Sequence, residues 1–402
     1  MPRRVFITVG EVSGDRNAAN FARELKKLDP DVILEGLGGP AMEAAGVRIY
    51  HDTVRKSAMG FRAMLRAWEV HRLLRWTQDH YRRSRPDLHV CVDSWSMNCN
   101  FASLAKKNGV NVLYYIAPQA WASREGRVKR LRQSVDRLAC ILPFEEEWFG
   151  SRGVPATFVG HPLFDHLASQ ERRGAPRDIS LRPPVIGLLP GSRRGVAANN
   201  FPSLIDVARE ILVQFPQASF LIPTTPNTES IVRDALKTLG PQAAQFTAKL
   251  DGFDEMVPAC DLCITVSGTA TLHVASYNVP MIVVYRGSRI LWHLLGRWII
   301  RTRTFALVNV LHTAGTGDRS HLVREFIPWY GQSGPVAQAA IEMLKNPRQL
   351  QEQQERLRQL IQPLEKPGAS RNVAVMAMAL MSGKTTSDSP APPLSSADQI
   401  SR

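Results

Sequence analysis

The sequence predicts an α/β protein made of two Rossmann-like, doubly wound domains that face a central cleft. Short runs of β-branched residues alternate with longer segments of helical period over residues 1–171, and the alternation returns over residues 185–345. This rhythm is typical of parallel sheets with crossover helices. Residues 172–184 are rich in Pro and Arg and are interpreted as a linker. Because such folds bind ligands at the carboxyl ends of their strands, we expect the functional groups there.

The elements follow in the order that such domains require. In the first domain the predicted strands are 5–9, 32–37, 88–92, 110–116 and 138–142, and the predicted helices include 17–28 and 101–107. In the second domain the predicted strands are 185–189, 220–222, 262–266 and 281–284, with helical segments at 201–215 and 269–277. Residues 346–381 are predicted to form C-terminal helices. Residues 382–402 contain few large apolar side chains and are expected to be a disordered tail.

The composition favours an intracellular protein with anionic partners. The 402 residues have a formal net charge of +14, an excess typical of proteins that bind phosphorylated molecules, nucleic acid or acidic membranes. We expect no nucleic-acid partner, because the chain has no nucleic-acid-binding motif. Its five scattered cysteines do not suggest a disulfide framework. No apolar run approaches the roughly 18 residues of a membrane span, so the sequence predicts a cytoplasmic protein.

The first strand ends in a turn with the sequence GEVSGD, residues 10–15. Gly14 permits a tight turn and the close approach of a ligand, and the helix that follows offers unpaired amides. Asp15 is then a candidate catalytic carboxylate. The alternative is a strand-to-helix turn in which Asp15 is only a helix cap.

The second domain has two comparable turns, each at the end of a predicted strand. In LLPGSRRG, residues 188–195, backbone amides, the Ser192 hydroxyl and the Arg193 guanidinium are placed to converge on a diphosphate. The alternative is a solvated basic loop. In SGTATLH, residues 267–273, small hydroxyl residues open a helix. Together the turns predict a nucleotide-diphosphate site in the second domain.

Asp93 ends the strand LHVCVD of the first domain and is therefore expected to face the same cleft. A carboxylate there can accept a proton from an attacking hydroxyl; the alternative is a loop or cap hydrogen bond. Two further segments, 59–76 and 290–300, interleave Trp, Leu and Arg as helices in a membrane interface do. Each of these segments is equally consistent with a core helix that has an arginine face.

Taken in order, these motifs resemble those of the lipid-A-disaccharide synthase family. The resemblance covers about residues 4–381 and is carried by GEVSGD, LGGPAMEAAG, the MGF segment, APQAWASREGRVKRL, ILPFEEEWF, VGHPL, LLPGSRRG, SGTATLHVASYNVPMIVVYR and the LVNVL stretch with Glu325. Members of this family are inverting glycosyltransferases of the GT-B architecture. They join UDP-2,3-diacylglucosamine to 2,3-diacylglucosamine 1-phosphate (lipid X), giving the β-1,6-linked disaccharide 1-phosphate and UDP. The resemblance implies this reaction at the inner face of the cytoplasmic membrane, with an anionic membrane surface as a partner.

The resemblance also implies roles for individual residues. The residues expected to bind UDP are Ser192 and Arg193 at the diphosphate, Ser267, Gly268 and Thr269 beside it, and Asn309 and Glu325 around the nucleoside. Asp93 is implied as the acceptor-side base, with Asp15 as the second candidate. No metal or cofactor is implied. The sequence does not specify an oligomeric state, and a homodimer is compatible with it.

Three positions depart from the family pattern. Ser96 stands where the family has Asp, and Val196 and His273 stand where it has Glu. His273 is expected to hold ribose hydroxyls in place of that carboxylate. The departures leave two alternatives open: a related GT-B transferase for another UDP-sugar and lipid acceptor, and a non-catalytic homologue that binds a sugar nucleotide or a lipid.

Overall fold

The computed structural model describes residues 2–55, 63–123, 126–167, 182–287, 304–314 and 321–383. Contacts divide the described chain into two α/β units. Unit 1 comprises described residues within 1–120, 125–165 and 367–402, and unit 2 comprises those within 121–124 and 166–366. Each unit has a parallel sheet with helices, so the predicted fold class is confirmed.

Unit 1 is built on a seven-stranded sheet in the order β3-β2-β1-β4-β5-β6-β7. Its strands are β1 Arg4–Val9, β2 Ile33–Gly38, β3 Arg48–Asp52, β4 Leu88–Val92, β5 Asn111–Tyr115, β6 Arg137–Cys140 and β7 Ala156–Phe158. The helices up to residue 167 are α1 Val12–Leu28, α2 Pro40–Ala44, α3 Ala63–Arg83, α4 Trp95–Lys107, α5 Ala120–Ser123, α6 Gly126–Ser134, α7 Pro143–Gly150 and α8 Pro162–Leu167. Sequence patterning missed β3 and β7, the two edge strands, which are only partly buried.

Alternation along β1 explains the two helical layers of unit 1. Val5 and Ile7 belong to an apolar cluster that includes residues of α1, whereas Phe6 belongs to a second cluster on the other face. Successive side chains of a strand point to opposite faces. Because β1 has buried apolar side chains on both faces, it is covered on both sides.

Unit 2 has a six-stranded parallel sheet in the order β10-β9-β8-β11-β12-β13. Its strands are β8 Val185–Leu189, β9 Ser219–Thr224, β10 Phe246–Leu250, β11 Leu262–Val266, β12 Met281–Arg286 and β13 Arg324–Trp329. The helices described after residue 167 are α9 Arg194–Gln214, α10 Glu229–Lys237, α11 Phe253–Met256, α12 Thr269–Ser276, α13 Leu307–His312, α14 Ser333–Leu344, α15 Pro347–Ile361 and α16 Ala369–Met381. Short 3₁₀ turns lie at Gly240–Gln245, Val257–Ala259 and Gln362–Leu364.

The C-terminal helices are divided between the units, which differs from their prediction as one segment, 346–381. Residues of α14 and α15 pack into the core of unit 2, whereas Val373 and Ala377 of α16 pack into the core that contains α1. The Asp165 carboxylate accepts hydrogen bonds from the amides of Gly368, Ala369 and Ser370 at 2.6–3.0 Å. These bonds cap the start of α16 and attach it to unit 1. Most of the predicted linker and of the tail lies outside the described residues.

Candidate active site

The predicted donor turns of unit 2 lie on neighbouring strands. Because β9, β8 and β11 are adjacent and parallel, their carboxyl ends meet at one edge of the sheet. Thr225, after β9, donates a hydrogen bond from Oγ1 to the Ser192 carbonyl, after β8, at 3.2 Å. A Cβ placed on Gly191 would lie 4.0 Å from Val266, the last residue of β11. The structure therefore brings together two motifs that lie about 75 residues apart in the sequence.

The turn between β8 and α9 exposes the start of a long helix. Gly191 has φ +102°, which favours glycine because other residues are strained there. Arg193 occupies the N-cap position, and its side chain makes no cap hydrogen bond. Residues 192–195 are exposed. The amides of the first helical turn and the Arg193 side chain are thus accessible to an anion, for which a helix N-terminus is electrostatically suited.

The turn between β11 and α12 is the second part of this edge. The Ser267 hydroxyl donates to the carbonyl of Phe305 at 3.1 Å, and Gly268 is the N-cap of α12 with φ +152°. Gly268 and Thr269 are exposed. Small exposed residues at this helix start leave room for a ligand beside the β8 turn.

The side chains of Asn309 and Glu325 form hydrogen bonds within unit 2. Asn309 is fully buried; its amide donates to Glu325 and to the Val323 carbonyl, while its Oδ1 accepts from the amides of Leu322 and Val323. The Glu325 carboxylate also accepts from the amides that precede α13, including that of Ala306 at 2.9 Å. The contacts of Asn309 thus favour a role in shaping the loop before α13 over direct contact with the nucleoside.

His273 lies in a cluster around Asp254. Its ring stacks on Phe253, with centroids 4.2 Å apart, and on Tyr277, 5.6 Å away. Its Nε2 atom lies 2.8 Å from Asp254 Oδ1, which also accepts a hydrogen bond from the Tyr277 hydroxyl. Nε2 nevertheless makes no hydrogen bond among the described residues, because its contact with Asp254 meets only the distance of an ion pair. The expected role of His273 in holding ribose hydroxyls stays a prediction.

Asp93 follows β4 in a strained backbone conformation. Asp93 has φ +51° and Ser94 has φ +44°, a left-handed conformation that costs about 1–2 kcal/mol per non-glycine residue. The Asp93 side chain is half-buried. Its carbonyl accepts hydrogen bonds from the Tyr114 hydroxyl at 2.7 Å and from the Asn98 amide at 2.9 Å. Such strain recurs at functional sites, where the surrounding structure maintains it.

Asp15 is sealed inside unit 1. It is only 2% exposed, and its carboxylate accepts from the amides of Gly39, Ala41 and Met42 at 2.9–3.3 Å. These contacts cap α2, so the structure favours the cap interpretation over the catalytic one.

Gly14 is buried as well, and its role is close packing. A Cβ there would lie 2.9 Å from Val9 Cγ1 and 3.8 Å from Asp93 Cβ. The GEVSGD turn consequently packs directly against the Asp93 loop. These contacts favour close packing over the expected substrate contact at Gly14.

The departures from the family pattern fall at distinct places. Ser96 is exposed in the first turn of α4, two residues after the strained Ser94. A Cβ on Gly191 would lie 2.8 Å from Val196 Cγ1, so Val196 packs beneath the β8 turn. Within the described residues, no cluster of His, Cys, Asp and Glu is arranged to hold a metal ion.

Only part of the predicted membrane-interface segments is described. Residues 290–300 lie outside the described ranges, as do residues 59–62. On α3, Trp68 is 64% exposed, and Arg72 lies over its ring at 5.5 Å. Arg75 is exposed on the same face, whereas Trp76 stacks on His80. No described helix is both long enough and apolar enough to cross a membrane.

Sequence reasoning missed two features. A cavity of about 620 Å³ lies at the amino ends of β8 and β9, at the edge opposite the donor turns, and is lined by Arg182, Pro184, Phe215 and Lys345 among others. Behind Asp93 lies a buried polar chain of Thr8, His89, Tyr81 and Asn98, all at most 3% exposed. The sequence signal for this set of residues was a polar side chain within each of two otherwise apolar strands, Thr8 in β1 and His89 in β4.

Comparisons with known proteins agree with this architecture. A family model described as lipid-A-disaccharide synthetase matches residues 5–379. The lipid-A-disaccharide synthase of Geobacter metallireducens is 32% identical over 386 residues, which cover 95% of this chain and 98% of that protein.

Solved structures with low sequence identity to this chain share its fold. The S. aureus MnaA–UDP complex has a TM-score of 0.64 at 13% identity and covers 96% of this chain and 98% of its own. UDP-GlcNAc 2-epimerase from Neisseria meningitidis, bound to UDP-GlcNAc, has a TM-score of 0.59 at 12% identity, covering 93% and 98%. The chain thus has the two-domain GT-B type of fold.

Proposed function

Because the chain belongs to the lipid-A-disaccharide synthase family and is accordingly a disaccharide-forming glycosyltransferase of lipid A biosynthesis, we propose that its donor is UDP-2,3-diacylglucosamine and its acceptor is lipid X. The products are then the β-1,6-linked disaccharide 1-phosphate and UDP. The observation that carries this proposal is the carboxyl edge of the sheet in unit 2, where the turns after the paired strands β8 and β11 lie close together and present amides, hydroxyls and Arg193. Two solved structures of the same fold are named as complexes of UDP or UDP-GlcNAc.

The donor diphosphate is proposed to bind at the start of α9. Ser192 and the amides of residues 194–196 face it from one turn, and Ser267, Gly268 and Thr269 face it from the other. When the bond from the anomeric carbon to the diphosphate breaks, negative charge develops on the departing oxygen. Preorganised amides and the Arg193 guanidinium stabilise that charge.

Asp93 is proposed as the base on the acceptor side. Its carboxylate accepts the proton of the acceptor's primary hydroxyl while that oxygen forms a bond to the anomeric carbon. The bond to UDP breaks on the opposite face, so the configuration at this carbon is inverted. Asp93 is favoured over Asp15 because its side chain is half-buried rather than sealed.

The chain is further proposed to work at the inner face of the cytoplasmic membrane. Both substrates carry acyl chains that have to be reached at a bilayer surface. The net charge of +14 favours an anionic surface. On α3, exposed Trp68 beside Arg72 and Arg75 has the composition of a membrane-interface helix.

The test is a reaction of the purified chain with UDP-2,3-diacylglucosamine and lipid X, followed by mass spectrometry of lipids and quantification of UDP. The expected result is one UDP released per disaccharide 1-phosphate formed. A matched reaction with UDP-GlcNAc, which lacks the acyl chains, measures donor selectivity. Release of UDP from another sugar nucleotide, with none from the diacylated donor, would assign a different transferase reaction; binding without turnover of any donor would make the chain a non-catalytic homologue.

A further inference from the structure

We propose that Thr8 and Asn98, supported by His89 and Tyr81, form a buried positioning chain that holds Asp93 in its left-handed conformation and thereby sets the turnover of the enzyme. The inference rests on the proposed role of Asp93 as the acceptor-side base. It concerns residues that touch no substrate. They act through the backbone of Asp93.

The positioning chain runs through the core of unit 1 without interruption. The Tyr81 hydroxyl lies 2.6 Å from His89 Nδ1, and His89 Nε2 lies 2.9 Å from the Thr8 hydroxyl. The Thr8 hydroxyl lies 2.8 Å from Asn98 Oδ1. Asn98 Nδ2 then reaches the carbonyl of Asp93 at 2.9 Å. Thr8, His89 and Asn98 are fully buried, so water does not compete for these bonds.

The direction of every bond in the positioning chain follows from the Asn98 amide and from the single N–H of His89. Asn98 Nδ2 also lies 2.9 Å from the Val92 carbonyl and 3.2 Å from the Thr8 carbonyl, so its two hydrogens are shared among three carbonyl oxygens. These contacts identify it as the nitrogen and leave Oδ1 to accept from the Thr8 hydroxyl. Burial lowers the pKa of His89 to about 3, so its ring is neutral and has a single N–H. Since Thr8 donates to Asn98, it accepts from His89 Nε2–H, and His89 Nδ1 accepts from Tyr81.

The positioning chain ends at the peptide bond between the two strained residues, Asp93 and Ser94. The Asp93 carbonyl belongs to the peptide between Asp93 and Ser94, both of which have positive φ. Two donors, Asn98 and Tyr114, are directed at this one oxygen. Two donors on one carbonyl restrict rotation of that peptide, and the peptide determines where the Asp93 carboxylate points. Because small misplacements of a reacting group cost much turnover, loosening this peptide should reduce the catalytic rate.

Thr8 is the best position for a test, because substitutions of similar size are available there. Thr8→Val removes the central hydroxyl and keeps the volume, and is expected to lower kcat at least about tenfold with unchanged UDP affinity and a small change in KM. Thr8→Ser retains the hydroxyl and is expected to recover most of that loss. Thr77→Val is the matched control: Thr77 is also fully buried in unit 1, and its hydroxyl has no hydrogen-bond partner among the described residues.

A double-substitution cycle with Asp93→Asn separates positioning from general stability. If the positioning chain acts through Asp93, Thr8→Val should cause no further loss of kcat in the Asp93→Asn background. An equal loss in both backgrounds, or a Thr8→Val enzyme as fast as the parent, would overturn the inference and leave the proposed function intact. A parent without turnover of UDP-2,3-diacylglucosamine and lipid X would overturn both. Should Thr8→Val fail to fold, Tyr81→Phe, which removes only the outermost hydroxyl, is assayed in the same cycle with the same criteria.

Discussion

At the residue scale, two carboxylates that follow neighbouring strands have different surroundings. Asp15 lies in the first turn of α1, the helix after β1, whereas Asp93 directly follows β4, and the two strands pair. The Asp15 carboxylate is 2% exposed and accepts three backbone hydrogen bonds. Asp93 is half-buried, and its backbone carbonyl accepts a hydrogen bond from the buried Asn98 side chain. The first carboxylate is therefore held by backbone amides as a helix cap, whereas the second belongs to the residue proposed as the acceptor-side base.

Asp93→Asn should lower kcat by about 10²–10⁴-fold, the usual contribution of a general base. Asparagine has nearly the same shape but cannot accept the proton of the acceptor hydroxyl. UDP affinity and the unfolding temperature should change little, since the donor turns lie in unit 2. Steady-state kinetics, calorimetry of UDP binding and thermal unfolding measure the three quantities.

Asp15→Asn is the contrasting substitution. Replacing one carboxylate oxygen by an amide removes an acceptor for buried amides, which should lower the free energy of unfolding by about 1–3 kcal/mol. Activity per folded molecule should be retained. If Asp15→Asn instead abolishes turnover in a stably folded protein while Asp93→Asn remains active, the two roles are exchanged.

The protonation of His89 makes stability depend on pH. Burial lowers its pKa from 6.5 to about 3, so between these values the unfolded chain binds a proton that the folded protein does not. This contribution to stability is complete above about pH 6.5 and is lost progressively as the pH falls towards about 3. Urea unfolding at pH 7 and pH 4.5 should show a smaller decrease for His89→Phe, relative to its own value at pH 7, than for the parent. His71→Phe, at an exposed position of α3, should retain the parent's full pH dependence, and equal slopes for all three proteins would contradict the prediction.

At the element scale, the proposed donor site depends on the start of α9. Arg193→Ala should weaken UDP binding by about 1.5–3 kcal/mol, the range of hydrogen bonds to charged groups. Arg209→Ala is the control on the same helix, since Arg209 pairs with Asp206 on an exposed face. Calorimetry at constant salt compares the two variants. Equal UDP affinity in Arg193→Ala and the parent would exclude Arg193 from the site.

At the scale of the whole molecule, charge and the exposed face of α3 predict reversible binding to membranes. The chain should sediment with vesicles that contain anionic lipid at low salt and dissociate as the ionic strength rises. Trp68→Ser should weaken this binding by about tenfold, since a Trp side chain buried in the interface contributes on the order of 1.5 kcal/mol. Val213→Ser is the control, because Val213 is an exposed apolar residue of unit 2, 75% accessible. If Trp68→Ser binds as the parent does, the contact with the membrane lies on another surface.

The sequence by itself determined the fold class, most of the interior strands and the places where polar turns follow them. These are local properties, because a run of β-branched residues or a glycine turn depends on a few neighbouring positions. Only the tertiary structure decided which carboxylate is sealed, what Asn309 and Glu325 bind, and that α16 joins unit 1. Thr8 and Asn98 show why: they are 90 positions apart in the chain and 2.8 Å apart in the fold. Their contact exists because β4 lies beside β1 in the sheet, and strand order depends on long-range packing that no local pattern records.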